Sequence, residues 1–154
     1  MKKINSNLFK EAISKYATGI AIITININEK FIGKTVNSFT SLSLNPPLVL
    51  FSLDKKSSSL KNYKESPNLG INILARNQKD ISDYFSKRKP IWTNTKYFLS
   101  KNNIPMIKEC VVNIDCKKIK TISQGDHIIF ICKVNEILIN NIDKPLIYFN
   151  SLYI

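Results

Sequence analysis

Val111-Val112-Asn113-Ile114-Asp115-Cys116-Lys117-Lys118-Ile119-Lys120-Thr121-Ile122, then Ser123-Gln124-Gly125-Asp126, then His127-Ile128-Ile129-Phe130-Ile131-Cys132-Lys133-Val134 spell two β-rich runs around a tight turn. β-branched and aromatic residues fit a pleated, half-buried surface, and a four-residue link containing Gly closes a hairpin. The runs extend over roughly 110–122 and 127–140. Upstream, Ile20 to Ile27 is β-branched and reads as a strand, Asn28-Glu29-Lys30 as a turn, and Phe31 to Val36 as the returning partner. Phe39 to Leu44 fits another short strand, and Pro46-Pro47 interrupts pairing because proline lacks the ladder donor. Leu48 to Leu53 is an apolar run broken only by Ser52 and predicts a strand buried on both faces. Leu69 to Leu74 and Leu146 to Phe149 complete the set.

Helical signals are fewer. Leu8, Phe9, Ala12, Ile13, Tyr16 and Ala17 recur at one-turn spacing, which predicts a helix over 7–18. Ser6 or Asn7 would cap its start and Gly19 would close it in the left-handed region. A short helix follows the polar loop 54–59 and runs through Glu65, and another covers 77–87 with Ile81, Tyr84 and Phe85 on one face. Residues 88–108 look irregular, with Trp92, Tyr97 and Phe98 placed to shape a lid, a subunit contact or a barrel end. Consecutive strands with short turns favour an antiparallel sheet, so the fold class is mainly β with peripheral helices, a closed or split β-barrel. No repeat or linker divides residues 1–154, which read as a single domain. A parallel dinucleotide-binding sheet is excluded, since there is no G-x-G-x-x-G and the four glycines are scattered.

The chain has 154 residues and a formal net charge of +12. That charge invites nucleic acid, but the basic residues are Lys scattered from end to end, with only Arg76 and Arg88 as arginine. Phosphate-clamping surfaces favour the bidentate guanidinium, so the surface reads as a solvated one that attracts small anions, and neither a nucleic-acid nor a membrane partner is expected. No apolar run approaches the roughly 18 residues that span a bilayer. Met1-Lys2-Lys3-Ile4 is not followed by a signal-like apolar region, so a cytoplasmic protein is expected. Cys110, Cys116 and Cys132 lack paired spacing, and with one histidine they form no standard zinc site. They read as buried reduced thiols, and no metal is expected.

Chemistry concentrates in three places. Gly33-Lys34-Thr35-Val36-Asn37-Ser38-Phe39-Thr40-Ser41 sets small hydroxyl and amide residues against the apolar run that follows. Small side chains let a ligand approach the backbone, and hydroxyls and main-chain N–H groups offer donors to a flat polar ring. Lys55-Lys56-Ser57-Ser58-Ser59 precedes a helix, a composition that suits a phosphate or a simple helix cap. His127 stands alone after the hairpin turn, where a hydrogen-bonded strand residue is the plain reading.

Taken together, the chain resembles the flavin reductase-like proteins of the FMN-binding split-barrel fold, an antiparallel Greek-key architecture. The matching segments are Tyr16-Ala17-Thr18-Gly19-Ile20, Gly33 to Ser43, Pro46-Pro47-Leu48-Val49 and Lys55-x-Ser57-x-Ser59-Leu60. Asn72-Ile73-Leu74, Tyr84-Phe85, Gly125-Asp126-His127-x-Ile129-Phe130 and Pro145-Leu146-Ile147-Tyr148 continue the pattern. The resemblance implies hydride transfer from NADH or NADPH to FMN, with FAD as the other flavin. Reduced flavin or its electrons would pass to a partner, a monooxygenase component among the candidates, and the protein would be a homodimer. It implies that Thr35, Val36, Asn37 and Ser38 lie along the flavin ring and that Lys55, Ser57, Ser58 and Ser59 hold the phosphate. Phe85, with Tyr84, would pack near the cofactor or only anchor its helix to the barrel, and His127 would position the nicotinamide. The chain departs from the family pattern in having Val36 for a frequent Ala, Lys55 for Arg in some members, Ile104-Pro105 where Gly-x-Pro is common, and Asn150-Ser151 where a Gly is common. The alternatives are a tightly bound FMN electron carrier or oxidase on the same fold and, from another class, a basic β-barrel that binds nucleic acid without catalysis.

Overall fold

The computed structural model describes residues 3–87, 92–142 and 144–154. In chain order the elements are α1 (Ser6–Ser14), β1 (Thr18–Gly19), β2 (Ala21–Ile27), β3 (Lys30–Val36), β4 (Thr40–Leu44) and β5 (Pro47–Asp54). They continue with α2 (Leu60–Glu65), β6 (Asn68–Ile73), α3 (Lys79–Ser86), β7 (Tyr97–Leu99) and β8 (Pro105–Ile107). The chain ends with β9 (Val112–Gln124), β10 (His127–Ile139), β11 (Ile147–Phe149) and β12 (Leu152–Tyr153). Short 3-10 turns stand at Arg76–Gln78 and Trp92–Asn94.

Seven strands form one antiparallel sheet in the order β3-β2-β6-β9-β10-β5-β4. No ladder joins β3 to β4 among the described residues, so the sheet is curled rather than closed, as a split barrel should be. Its concave side holds the main core. Ile23 and Ile25 of β2 share that cluster with Val49, Phe51 and Leu53 of β5 and Phe130 of β10. Phe51 stacks on Phe130 with centroids 4.9 Å apart. Tyr63 of α2 locks the two halves of the curl. Its ring meets Phe130 edge-on, and its buried hydroxyl donates to the Ile23 carbonyl at 2.8 Å. Alternation along β2 sends Ile20 and Ile22 to the other face, where Phe85, Leu74 and Leu146 make a second core.

The long β9–β10 hairpin stands as the sequence predicts, turning at Gly125 with φ +55°. Several expectations change, beginning with the cap of the first helix, which is Asn5 and not Ser6 or Asn7. The first helix ends at Ser14, and Phe9, Ile13 and Tyr16 stay exposed. Gly19 does not close it, because residues 18–19 are recruited as β1 to pair with β11. Pro47 does not break pairing but opens β5 opposite Leu44, and only Pro46 sits in the turn. β5 is not buried on both faces of the single chain: Val49, Phe51 and Leu53 point inward, while Leu48, Leu50 and Ser52 are half-buried. Within the stretch expected to be irregular, β7 and β8 form a small hairpin, and 88–91 lie outside the described residues.

Candidate functional site

Two of the three chemistry-bearing segments converge on the end of β5, and hydrogen bonds tie the third to the same strand. The Ser38 hydroxyl donates to the Ser52 carbonyl and accepts from the Ser52 amide, both at 3.0 Å. That double bond fastens the segment after β3 to β5. Two residues on, Asp54 is the register partner of His127. The Lys55 amide donates to the Asp126 carbonyl at 2.9 Å, and the Lys55 ammonium donates to the Gly125 carbonyl at 2.6 Å. The Lys55–Ser59 loop and the Gly125-Asp126-His127 turn are therefore one unit.

In that loop the Lys56 amide donates to Asp54 Oδ1 at 2.7 Å, and the hydroxyls of Ser57 and Ser59 lie 3.3 Å apart. Their mutual bond uses one of two hydroxyl protons, and Lys55 uses one of three ammonium donors on Gly125. Ser59 caps α2 without a side-chain bond to it, and Ser58 is exposed. Six residues make α2 a weak dipole, so anion holding rests on Lys55 and the hydroxyls. His127 is half-buried, with Nδ1 at 2.7 Å from Asp126 Oδ1. That bond holds the Asp126 carboxyl below the usual carboxylate range.

The segment from Gly33 behaves differently from its composition. The Thr35 hydroxyl donates to the Ser82 carbonyl of α3 at 2.7 Å, and the Val36 side chain is buried in the main core. With Ser38 also engaged, what this segment can offer a flat ring is main-chain amide, and β3 is an edge strand whose outer amides have no strand partner. Asn37 is exposed. Gly33 is required by Phe85, since a Cβ there would come within 2.6 Å of that ring. Phe85 itself is fully buried against Trp92, with centroids 5.0 Å apart. It lies beneath β3, and the hydrogen bonds at the end of β5 do not reach it.

On the α3 side of the same segment is a cleft of about 250 Å³, lined by Lys34, Val36, Asn37, Ser86, Tyr148 and Tyr153 among others. Its lining includes Thr35, Val36 and Asn37, which the sequence singles out, and adds Tyr148 and Tyr153 from a C-terminal hairpin whose second strand the sequence did not show.

A second polar cluster was also missed. Fully buried Asn72 donates to the Ile22 carbonyl at 2.9 Å and to Thr24 Oγ1 at 3.1 Å, and its Oδ1 accepts from the Ile107 amide and from Asn113 Nδ2, each at 2.8 Å. It pins β2, β6, β8 and β9 together and lies inside the fold.

Residues 13–153 match the family described as the flavin reductase like domain. The chain is 33% identical over 153 residues to the NADH-dependent flavin reductase StyB of Pseudomonas fluorescens, covering 97% of this chain and 89% of that protein. It is 32% identical over 130 residues to the FMN reductase (NADH) SmoA of Agrobacterium fabrum, covering 84% of this chain and 75% of that one. Among solved structures, a flavin reductase in its native state matches with a TM-score of 0.89 at 35% identity, over 97% of each chain. The styrene monooxygenase flavin reductase of Pseudomonas putida S12 matches with a TM-score of 0.85 at 32% identity, over 94% of each chain. Fold, order of motifs and relatives agree: this chain belongs to the flavin reductase-like domain family.

Proposed function

We propose that the protein is an NADH-dependent flavin reductase that delivers reduced FMN or its electrons to a partner. The observation that carries this reading is the joining of the 35–38 segment, the Lys55–Ser59 loop and His127 around the end of β5. Family relatives named as NADH-dependent flavin reductases support it.

The donor chemistry of this site fits a flavin. Lys55 with Ser57, Ser58 and Ser59 would hold the phosphate, combining one cation with several hydroxyls. The amides of residues 35–38 would face the polar edge of the ring, where donors fixed by the fold stabilise negative charge without reorganising. When bound, the flavin supplies the two-electron chemistry that no side chain here provides, taking up the hydride that NADH gives. His127 has Nδ1 engaged by Asp126, which leaves Nε2 to orient the reductant's carboxamide.

A homodimer belongs to the same reading. Leu48 and Leu50 of β5, Ile129 and Ile131 of β10 and Ile122 of β9 share the outward face by register. An antiparallel sheet with one wet face alternates apolar and polar; this face has an apolar centre, bordered by Ser52, Lys120 and Lys133. A second copy of the chain would cover it and restore the two-sided burial that the sequence of β5 predicts. An oxygenase component is the proposed recipient of reduced flavin, a reading supported by a relative named as the reductase component of a flavin-dependent monooxygenase. The three cysteines are free and buried, which suits a reducing compartment such as the cytoplasm. No helix among the described residues is long and apolar enough to cross a membrane.

The test is steady-state oxidation of NADH by the purified protein with and without added FMN. FMN-dependent consumption of NADH supports the reading, and NADH left unconsumed at every flavin concentration overturns it.

A further inference from the structure

The first helix takes no part in either core, and no residue of α1 is buried. Nine residues are too few to stand on propensity alone, since isolated helices shorter than about 12–15 residues are marginal in water. Asn5 closes its start, with Oδ1 accepting from the Leu8 amide at 2.9 Å. Its other end is tied to the C-terminal hairpin. There the Asn150 amide donates to the Ser14 carbonyl at 2.7 Å, and the Lys15 ammonium donates to Asn150 Oδ1 at 2.8 Å.

The open face of this helix has a specific pattern. Phe9, Ile13 and Tyr16, spaced i, i+4 and i+7, are 55%, 57% and 75% exposed. The Tyr16 amide donates to the Ile13 carbonyl at 3.0 Å, so the turn carries on past Ser14 and keeps Tyr16 in line. Leu8 and Ala12 complete the apolar arc. At about 100° per residue, Lys10 stands about 60° beyond Ile13 at one border, and Lys15 about 20° beyond Leu8 at the other. Glu11, the one acid of the helix, lies on the polar side. Just before the helix, Lys3 and Ile4 are exposed as well.

Lysines at the borders of an apolar arc lay their aliphatic stems along it and lift their ammonium groups to its rim. That is the chemistry of a helix lying in the surface of an anionic bilayer. The outer face of β5 and β10, with its apolar centre, suits a second copy of the chain. The stripe of α1 suits one less well, because two copies laid stripe to stripe would set Lys10 and Lys15 against like charge. We propose that α1 is a membrane-surface helix: Phe9, Ile13 and Tyr16 enter the headgroup region, and Lys3, Lys10 and Lys15 face the lipid phosphates. No helix among the described residues is long and apolar enough to cross a bilayer, and a helix lying flat needs no such length. A chain whose sequence promised no membrane partner thus carries a surface for one. Lipid binding here is independent of the flavin chemistry, since neither Phe9 nor Ile13 belongs to the site at the end of β5.

Cosedimentation with vesicles tests this, with an equimolar mixture of phosphatidylcholine and phosphatidylserine set against phosphatidylcholine alone. Joint replacement Phe9→Gln and Ile13→Gln removes the centre of the stripe and keeps a good helix former at both positions. Lys10→Glu reverses one border charge and leaves the stripe intact. Melting curves establish that the variants fold. Wild type should bind the mixed vesicles, more weakly as salt rises, and phosphatidylcholine alone far less. The double variant should bind about tenfold or more weakly, the scale set by two apolar side chains no longer leaving water. Lys10→Glu should bind severalfold more weakly. Wild type that stays in solution beside the mixed vesicles overturns the proposal. So does binding that the folded double variant retains, which would assign it to the scattered lysines. Absent vesicle binding together with a halved solution mass for the double variant would give the stripe to a second copy. If the double variant does not fold, Lys10→Glu decides alone, and undiminished binding overturns the proposal.

Discussion

The knot around Asn72 and the rim at the end of β5 both rest on small neutral polar side chains, Asn and Thr in the knot and Ser on the rim, and they do opposite things. In the knot every atom of the Asn72 amide is used: two bonds donated, two accepted, all among buried groups. On the rim, the Ser57–Ser59 pair and Lys55 keep protons in hand, and the loop is open to water. A saturated polar cluster specifies packing, and an unsaturated one at the surface is available to a ligand. Composition alone cannot separate these cases, but counting donors and acceptors does.

Substitutions can break the contrast. Asn72→Leu should have the largest effect, lowering the unfolding free energy by about 3 kcal/mol or more, because several buried partners lose their bonds together. Chemical denaturation measures it, and the remaining folded protein should bind FMN as wild type does. A loss under about 0.5 kcal/mol would deny the knot its structural role. Ser57→Asp should reverse the pattern, weakening FMN by about tenfold or more by setting a carboxylate against the phosphate. Its stability should stay within about 0.5 kcal/mol of wild type, and unchanged FMN affinity would move the phosphate elsewhere.

Ser38→Ala sharpens the comparison at its boundary. This hydroxyl lies on the rim but is saturated by Ser52, so it should cost about 1 kcal/mol of stability, measured by thermal melting. His127→Ala should leave both stability and FMN affinity nearly unchanged and slow NADH turnover severalfold; equal loss in flavin affinity would make it a flavin ligand instead. The smallest effect concerns pH. The His127 hydrogen bond depresses the Asp126 carboxyl, so its small stabilising contribution is present above the ordinary Asp value of about 3.9. It fades as pH falls further, through the lowered folded value. The melting-temperature gap between wild type and Asp126→Asn should therefore narrow as pH falls through the acid range.

Much of the fold is legible because its signals are local. The β9–β10 hairpin declares itself through two β-branched runs and a Gly turn, and β2 through its β-branched run. What escaped depends on long-range partners. β1 exists only because β11 is there to pair with it, and Gly19 had signalled the end of a helix. The apolar outer face of β5 was read as buried, and the single chain leaves it half-covered. At the site, the sequence named the segments that meet at β5 but could not say which hydroxyls were already engaged. Thr35 and Ser38 look like free donors and are internal struts, and Phe85 is a wedge beneath Gly33. The Asn72 knot and the Tyr148–Tyr153 cleft were not legible as units, although Asn72, Val36, Asn37 and Tyr148 stand in quoted segments, since each assembles residues from distant stretches.

The contrast between knot and rim is tested most directly by titrating the isotope-labelled protein with FMN and following its amide signals by NMR. The account predicts large shifts at the main-chain amides of residues 35–38 and 55–59 and little change at the side-chain amides of Asn72 and Asn113. Shifts confined to the knot, or spread without focus while residues 35–38 and 55–59 stay still, would contradict it.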